Sequence, residues 1–141
     1  MTQLVPPVPT MDDDDVVLLT VPASGVYFGV LRTATAGLAA RLQFTLDEIE
    51  DLRIAVDEAC AMLLALAALD AELSCRFTVD GVSLTIEASV RTATPDASLP
   101  SRESFAWQVL SALTDEASTE SSGRTATIRL TKRRPTHPNG G

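Results

Sequence analysis

Two adjacent carboxylates, Asp57 and Glu58, stand inside the apolar-periodic stretch Leu52-Arg53-Ile54-Ala55-Val56-Asp57-Glu58-Ala59. A glutamate can act as a general base only where a reacting proton is brought within hydrogen-bond reach. Without a metal or a nucleotide beside it, Glu58 has nothing to deprotonate and reads as a solvated helix residue or a partner for nearby Arg53. The two cysteines, Cys60 and Cys75, lie on separate apolar segments with neither a CxxC pair nor a nearby histidine. That is no metal framework; buried, reduced thiols are the simpler expectation, and a disulfide stays open. The one dense basic run, Lys132-Arg133-Arg134, precedes Pro135 and reads as a solvated tail.

Composition narrows the function classes. The net charge of −8 works against an electrostatic grip on phosphates, so direct nucleic-acid binding is not expected. A hydrophobic fraction of 45% over 141 residues allows one core and predicts one domain. The first residues have neither a basic leader nor a long apolar run, and no segment approaches the roughly eighteen apolar residues of a membrane span. The expected location is cytoplasmic, with no membrane contact. Pro6, Pro7, Pro9 and the run Asp12–Asp15 make residues 1–15 read as a disordered, acidic, proline-rich arm; 16–134 read as the folded domain and 135–141 as a flexible tail.

These candidates need elements to position them. Val16 to Val21 reads as a strand closed by Pro22. Ser24 is a candidate cap for a helix reaching about Gln43, with Val26, Val30, Thr33 and Gly37 at helical spacing on one face. Thr45 with Glu48 forms a capping-box pattern behind Phe44, which could act as a staple. The helix it opens carries Leu46, Ile49, Leu52, Ile54, Val56, Ala59, Leu63 and Leu66, and its all-apolar part, Ala61 to Leu69, is expected to be buried. Leu73, Cys75, Phe77 and Val79 alternate with polar residues up to Asp80-Gly81, and Val82, Leu84, Ile86 and Ala88 alternate after it, predicting a hairpin. Thr92 to Glu103 reads as a loop, and Asp96 after Pro95 as a turn residue. Ser104 then caps a third helix with Phe105, Val109, Leu110 and Leu113; Trp107 is assigned to the core. Gly123 separates that helix from a last strand with Thr125, Thr127, Ile128 and Leu130. The predicted class is α+β, a two-layer α/β sandwich with helices on one face of a mixed, mainly antiparallel sheet.

This element order, with the Leu52–Ala59 stretch, resembles the anti-sigma factors of the RsbW and SpoIIAB type within the GHKL ATPase and histidine-kinase superfamily (the Bergerat fold), over roughly residues 16 to 134. The resemblance implies a glutamate that activates the attacking hydroxyl, matched by Glu58, and four residues on an asparagine that holds magnesium. Met62 stands there, and a thioether is a poor ligand for a hard cation. The family's D-x-G-x-G after the hairpin is replaced by Ala88-Ser89-Val90-Arg91-Thr92, and its later glycine motif by Ser101-Arg102-Glu103-Ser104-Phe105. Glu58, Met62, Ala88, Arg91 and Arg102 thus mark a remnant cleft in which base recognition, metal binding and phosphate approach all fail. No catalytic residue, metal site or ATP/magnesium cofactor is expected, and kinase activity is expected to be lost.

The resemblance also implies a first-helix arginine, matched by Arg32, that contacts both the sigma factor and its antagonist, with Tyr27, Phe28 and Leu31 close by. The expected function is sequestration of an alternative sigma factor of the stress or development type. Release by an anti-anti-sigma factor of STAS fold and a homodimeric state are implied too. The alternatives are an active serine kinase of the same fold and a small-molecule sensor using the remnant cleft.

Overall fold

The computed structural model describes residues 15–135; the acidic arm up to Asp14 and the tail from Thr136 lie outside the described residues. The described elements run β1 (Asp15–Pro22), a single 3-10 turn (Gly25–Tyr27), α1 (Phe28–Arg41), α2 (Leu46–Leu64), β2 (Glu72–Asp80), β3 (Ser83–Arg91), α3 (Phe105–Leu113), β4 (Glu116–Ser122) and β5 (Thr125–Arg133). The strands form one sheet in the order β1-β2-β3-β5-β4. The helices lie on one of its faces, giving the expected α+β sandwich.

β1 forms where a β-branched run allows it and pairs antiparallel with β2, Leu19 opposite Cys75. The Asp80-Gly81 hairpin is present with a two-residue loop, Gly81–Val82. Gly81 takes φ +63°, and Asp80 Oδ1 accepts from both the amide (3.1 Å) and the hydroxyl (2.6 Å) of Ser83. In β2 and β3, Leu73, Cys75, Phe77, Leu84, Ile86, Ala88 and Val90 alternate inward and are buried.

The sequence reading missed a strand. Glu116–Ser122, which it left in the stretch between α3 and Gly123, is an edge strand paired with β5 through a hairpin whose loop contains Gly123 at φ +59°. Its inward positions are Ala117, Thr119 and Ser121, so it has no apolar alternation to read and is held by backbone pairing. Because β4 supplies a return leg, β5 comes back antiparallel to β3, and every pairing in the sheet is antiparallel rather than mixed.

The face of α1 that the spacing picks out is not the one that meets the core. Ser24 caps the 3-10 turn, accepting from Val26 N at 3.4 Å, and the α-helix starts only at Phe28. Val26, Val30, Thr33 and Gly37 face solvent; the core face is Leu31, Thr35 and Ala39. Thr35 can be buried because its hydroxyl donates to Leu31 O at 2.7 Å. Thr35 does not register in an apolar count, whereas the two exposed valines do.

α2 opens on the predicted capping box, Glu48 N to Thr45 Oγ1 at 3.2 Å and Thr45 N to Glu48 Oε1 at 2.7 Å. Its buried stripe is Leu52, Ala55, Val56, Ala59, Cys60, Met62 and Leu63, while Leu46 and Ile54 are exposed. The expected burial of Ala61 to Leu69 holds only in part: Met62 and Leu63 are buried, and Leu66, Ala67 and Ala68 pack partly buried against the core. The helix ends at Leu64, Ala61 and Ala65 are exposed, and Leu69 is 89% exposed in the turn leading to β2. α3 is capped by Ser104 and buries Trp107 and Leu110, but Phe105, at its first position, is 79% exposed.

Candidate functional site

α1 and α2 pack side by side, and Arg32 and Asp57 meet across them. One guanidinium nitrogen, Nη1, donates to both carboxylate oxygens of Asp57, at 2.9 and 3.1 Å. Both side chains are 38% exposed, so solvent screens the pair and it contributes about 1 kcal/mol or less to stability. Nη2 and Nε of Arg32 have no protein acceptor among the described residues. Gly29, one turn earlier on the same flank, lies directly beside Nη2: a Cβ built at Gly29 would stand 3.3 Å from it.

The other residues named with Arg32 separate. Tyr27 is exposed at the start of α1, and Phe28 is partly buried against the core. Leu31 is fully buried, which removes it from any surface of the folded chain. Sequence reasoning missed the Arg32–Asp57 contact because the two residues sit on different helices, and nothing local to either one encodes the distance between them.

The remnant-cleft positions are only partly brought together. Glu58 lies about 100° round α2 from Asp57 and is half-buried. Its suggested partner Arg53 instead pairs with Glu50 at 3.4 Å, one turn back on the exposed flank. Met62 and Ala88 are buried in the core cluster. Arg91 is exposed on the opposite sheet face, in register with Thr125, because strand alternation points it away from Ala88. Arg102 is exposed, with its guanidinium over the Trp107 ring at 5.4 Å from the centroid, and the Trp107 indole donates to Pro100 O at 2.6 Å. Of these five side chains only Glu58 offers an oxygen to a hard cation. Asp96 is a turn residue at φ +58°, its amide donating to Gly123 O at 2.9 Å.

Cys60 on α2 and Cys75 on β2 are unbridged and buried. A hydrogen bond with Cys75 and burial together push the Cys60 thiol far above the ordinary range, so it stays protonated. The uncovered face of the sheet is polar except along β1, where Val16 and Leu18 are exposed. A depression of about 580 Å³ there is lined by Asp80, Thr85, Glu116, Arg129, Thr131 and Arg133, on the far side of the sheet from Glu58. No helix among the described residues is long and apolar enough to cross a membrane.

No family model matches the chain. Individual relatives do. The anti-sigma-F factor RsbW of Mycobacterium tuberculosis is 37% identical over 108 residues, which is 75% of this chain and 62% of that protein. The serine-protein kinase RsbW of Bacillus velezensis is 41% identical over 68 residues, 46% of this chain and 42% of that protein. The Bacillus subtilis protein of the same name is 50% identical over 46 residues, 33% of this chain and 29% of that protein. The chain thus spans less than two thirds of the length of each of these three relatives. Sequence similarity and the helix-on-sheet architecture agree: this chain is a relative of the RsbW/SpoIIAB-type proteins, whose fold is GHKL-like.

Proposed function

We propose that the chain is an anti-sigma factor that binds and occludes an alternative sigma factor of the stress or development type in the cytoplasm. The observation that carries this reading is the similarity, over 75% of the chain, to a protein named as an anti-sigma-F factor. The half-exposed Arg32 supports it, since a guanidinium held at a crevice between two helices can pair with a carboxylate and still pack by its stem. An anti-anti-sigma factor of STAS fold releases the sigma factor by competing for an overlapping surface, and the working unit is a homodimer. Sequestration is stoichiometric and needs no catalytic group. The test is direct binding of the full chain to each purified alternative sigma factor of its source organism. One of them is expected to bind, and Arg32→Ala is expected to weaken that complex roughly tenfold or more with the fold intact. Binding to none of them would overturn the reading.

A second reading is favoured by the Bacillus relatives, named as serine-protein kinases, and by Glu58 standing half-buried on α2. Against it stand a buried thioether at Met62 and a methyl group at Ala88, where metal and adenine would require polar partners. The expected outcome with labelled ATP, magnesium and a STAS protein is no transfer of phosphate. Transfer that disappears in Glu58→Ala would establish the kinase instead. Stabilisation by a phosphorylated metabolite, with no sigma factor bound, would point to a sensor.

A further inference from the structure

We infer that Asp57 and Gly29 prepare Arg32 for a carboxylate on the partner: Asp57 fixes one nitrogen of the guanidinium, and Gly29 leaves the opposite nitrogen uncovered. This rests on the reading that Arg32 meets the partner, and it adds the chemistry of what Arg32 meets there.

A guanidinium has five N–H donors in one plane, and two of its edges can each hold a carboxylate. Asp57 does not use the fork in the usual way, with two nitrogens facing two oxygens. Both of its oxygens converge on Nη1, at 2.9 and 3.1 Å. Nη2 and Nε therefore keep their donors, and among the described residues they find no protein acceptor. The side chain is nonetheless oriented, because a contact between α1 and α2 pins one end of it. An oriented arginine loses less freedom on binding than a mobile one, which favours association.

Gly29 supports the same conclusion independently. It sits in the first turn of α1, and its φ is not in the left-handed region, so the backbone there does not require glycine. Space in the core does not require it either: the one neighbour a Cβ would meet within 4 Å is Nη2 of Arg32, at 3.3 Å. Glycine is a poor helix residue, and alanine would suit the helix better. A methyl group would, however, cover the donor that Asp57 leaves unused. The occupant that fits this edge is an aspartate or glutamate side chain of the partner. Lysine at position 32 would not substitute, since a point charge cannot bridge Asp57 and a second carboxylate in one plane.

The probe is the sigma factor that binds the wild-type chain in the panel above. Asp57→Ala and Asp57→Asn are expected to weaken binding roughly tenfold, and Asp57→Glu to restore most of it. In an Arg32→Ala background, Asp57→Ala is expected to cost nothing more, because Asp57 acts through Arg32. Gly29→Ala is expected to raise the melting temperature or leave it unchanged while weakening binding to a similar degree. Arg32→Glu should be rescued by one acidic-to-arginine change on the sigma factor. If Arg32→Ala weakens binding while Asp57→Asn and Gly29→Ala bind like wild type, the inference fails and the parent reading stands. Tighter binding by Asp57→Ala also overturns it, since Asp57 would then be a competitor. If Arg32→Ala itself has no effect, Arg32 leaves the interface and the inference goes with it.

Discussion

Gln43 adopts φ +63° at the junction of α1 and α2, a region that L-residues other than glycine enter at a cost of about 1–2 kcal/mol. The hydrogen bonds explain why it stays there. Phe44 N donates to Ala39 O at 3.1 Å and Gln43 N to Ala40 O at 3.0 Å, the pattern that satisfies the last carbonyls of a helix and turns the chain away from it. Leu42 and Phe44 are buried on either side, so the turn is fixed by burial as well as by hydrogen bonding. Gln43→Gly is therefore expected to stabilise the chain by about 0.5–1 kcal/mol, read as a higher urea midpoint with an unchanged m-value. The gain is set against one weak contact, Arg134 Nη1 to Gln43 Oε1 at 3.4 Å, while the contact from Arg134 to Leu42 O at 3.2 Å is kept. A lower midpoint would mean that the side chain matters more than the strain.

At the scale of the element, α2 is the central helix, packed against α1 on one side and α3 on the other. Its start is encoded locally and in full. Thr45 and Glu48 satisfy each other's amides, while Phe44 and Ile49, at the staple positions, both join the core packing. Thr45→Ala should cost about 1 kcal/mol in chemical unfolding, and Glu48→Ala rather less, since the hydroxyl then still satisfies one amide. The end of α2 is not encoded in the same way. The apolar run from Ala61 to Leu69 would allow helix throughout, yet the chain leaves the helix after Leu64. Leu66 O accepts from Ala93 N at 2.9 Å, Ala68 N donates to Arg91 O at 2.8 Å, and Ala67 bridges Thr92. Backbone bonds to the far end of β3, distant in sequence, terminate the helix.

For the folded unit as a whole, the inward face of the sheet and the three helices enclose one continuous cluster that includes Leu31, Leu52, Leu63, Phe77, Ile86, Trp107, Leu110 and Ile128. Cys60 and Cys75 belong to that cluster, on α2 and β2. Their thiols are predicted to stay unlabelled by an aromatic disulfide reagent in native buffer. They should react together at the rate of global opening, because local fraying of an edge does not reach them. Stopped-flow labelling across a urea series checks this; fast labelling of either cysteine without denaturant would show a local opening of the α2–β2 packing. The uncovered face is built differently, from paired hydroxyls such as Ser89 with Thr127 at 2.7 Å and Thr85 with Thr131 at 3.1 Å, and it contributes polar surface to the sheet and no second core.

Sequence alone determined whatever rests on near neighbours in the chain. The capping box at Thr45, the Asp80-Gly81 hairpin, the Ser104 cap and the alternation in β2 and β3 each depend on residues within a few positions of one another, so composition and spacing reveal them. Similarity to the RsbW type was legible from the order of the elements together with one short stretch on α2. Tertiary structure decided the rest. β4 forms only because β5 offers it an edge. The core face of α1 is chosen by what it packs on and passes over Val30 in favour of Thr35 and Ala39. Arg32 finds Asp57 only when two helices lie side by side. Local rules act within one turn or one hairpin, whereas a contact between distant segments requires the whole core to form first.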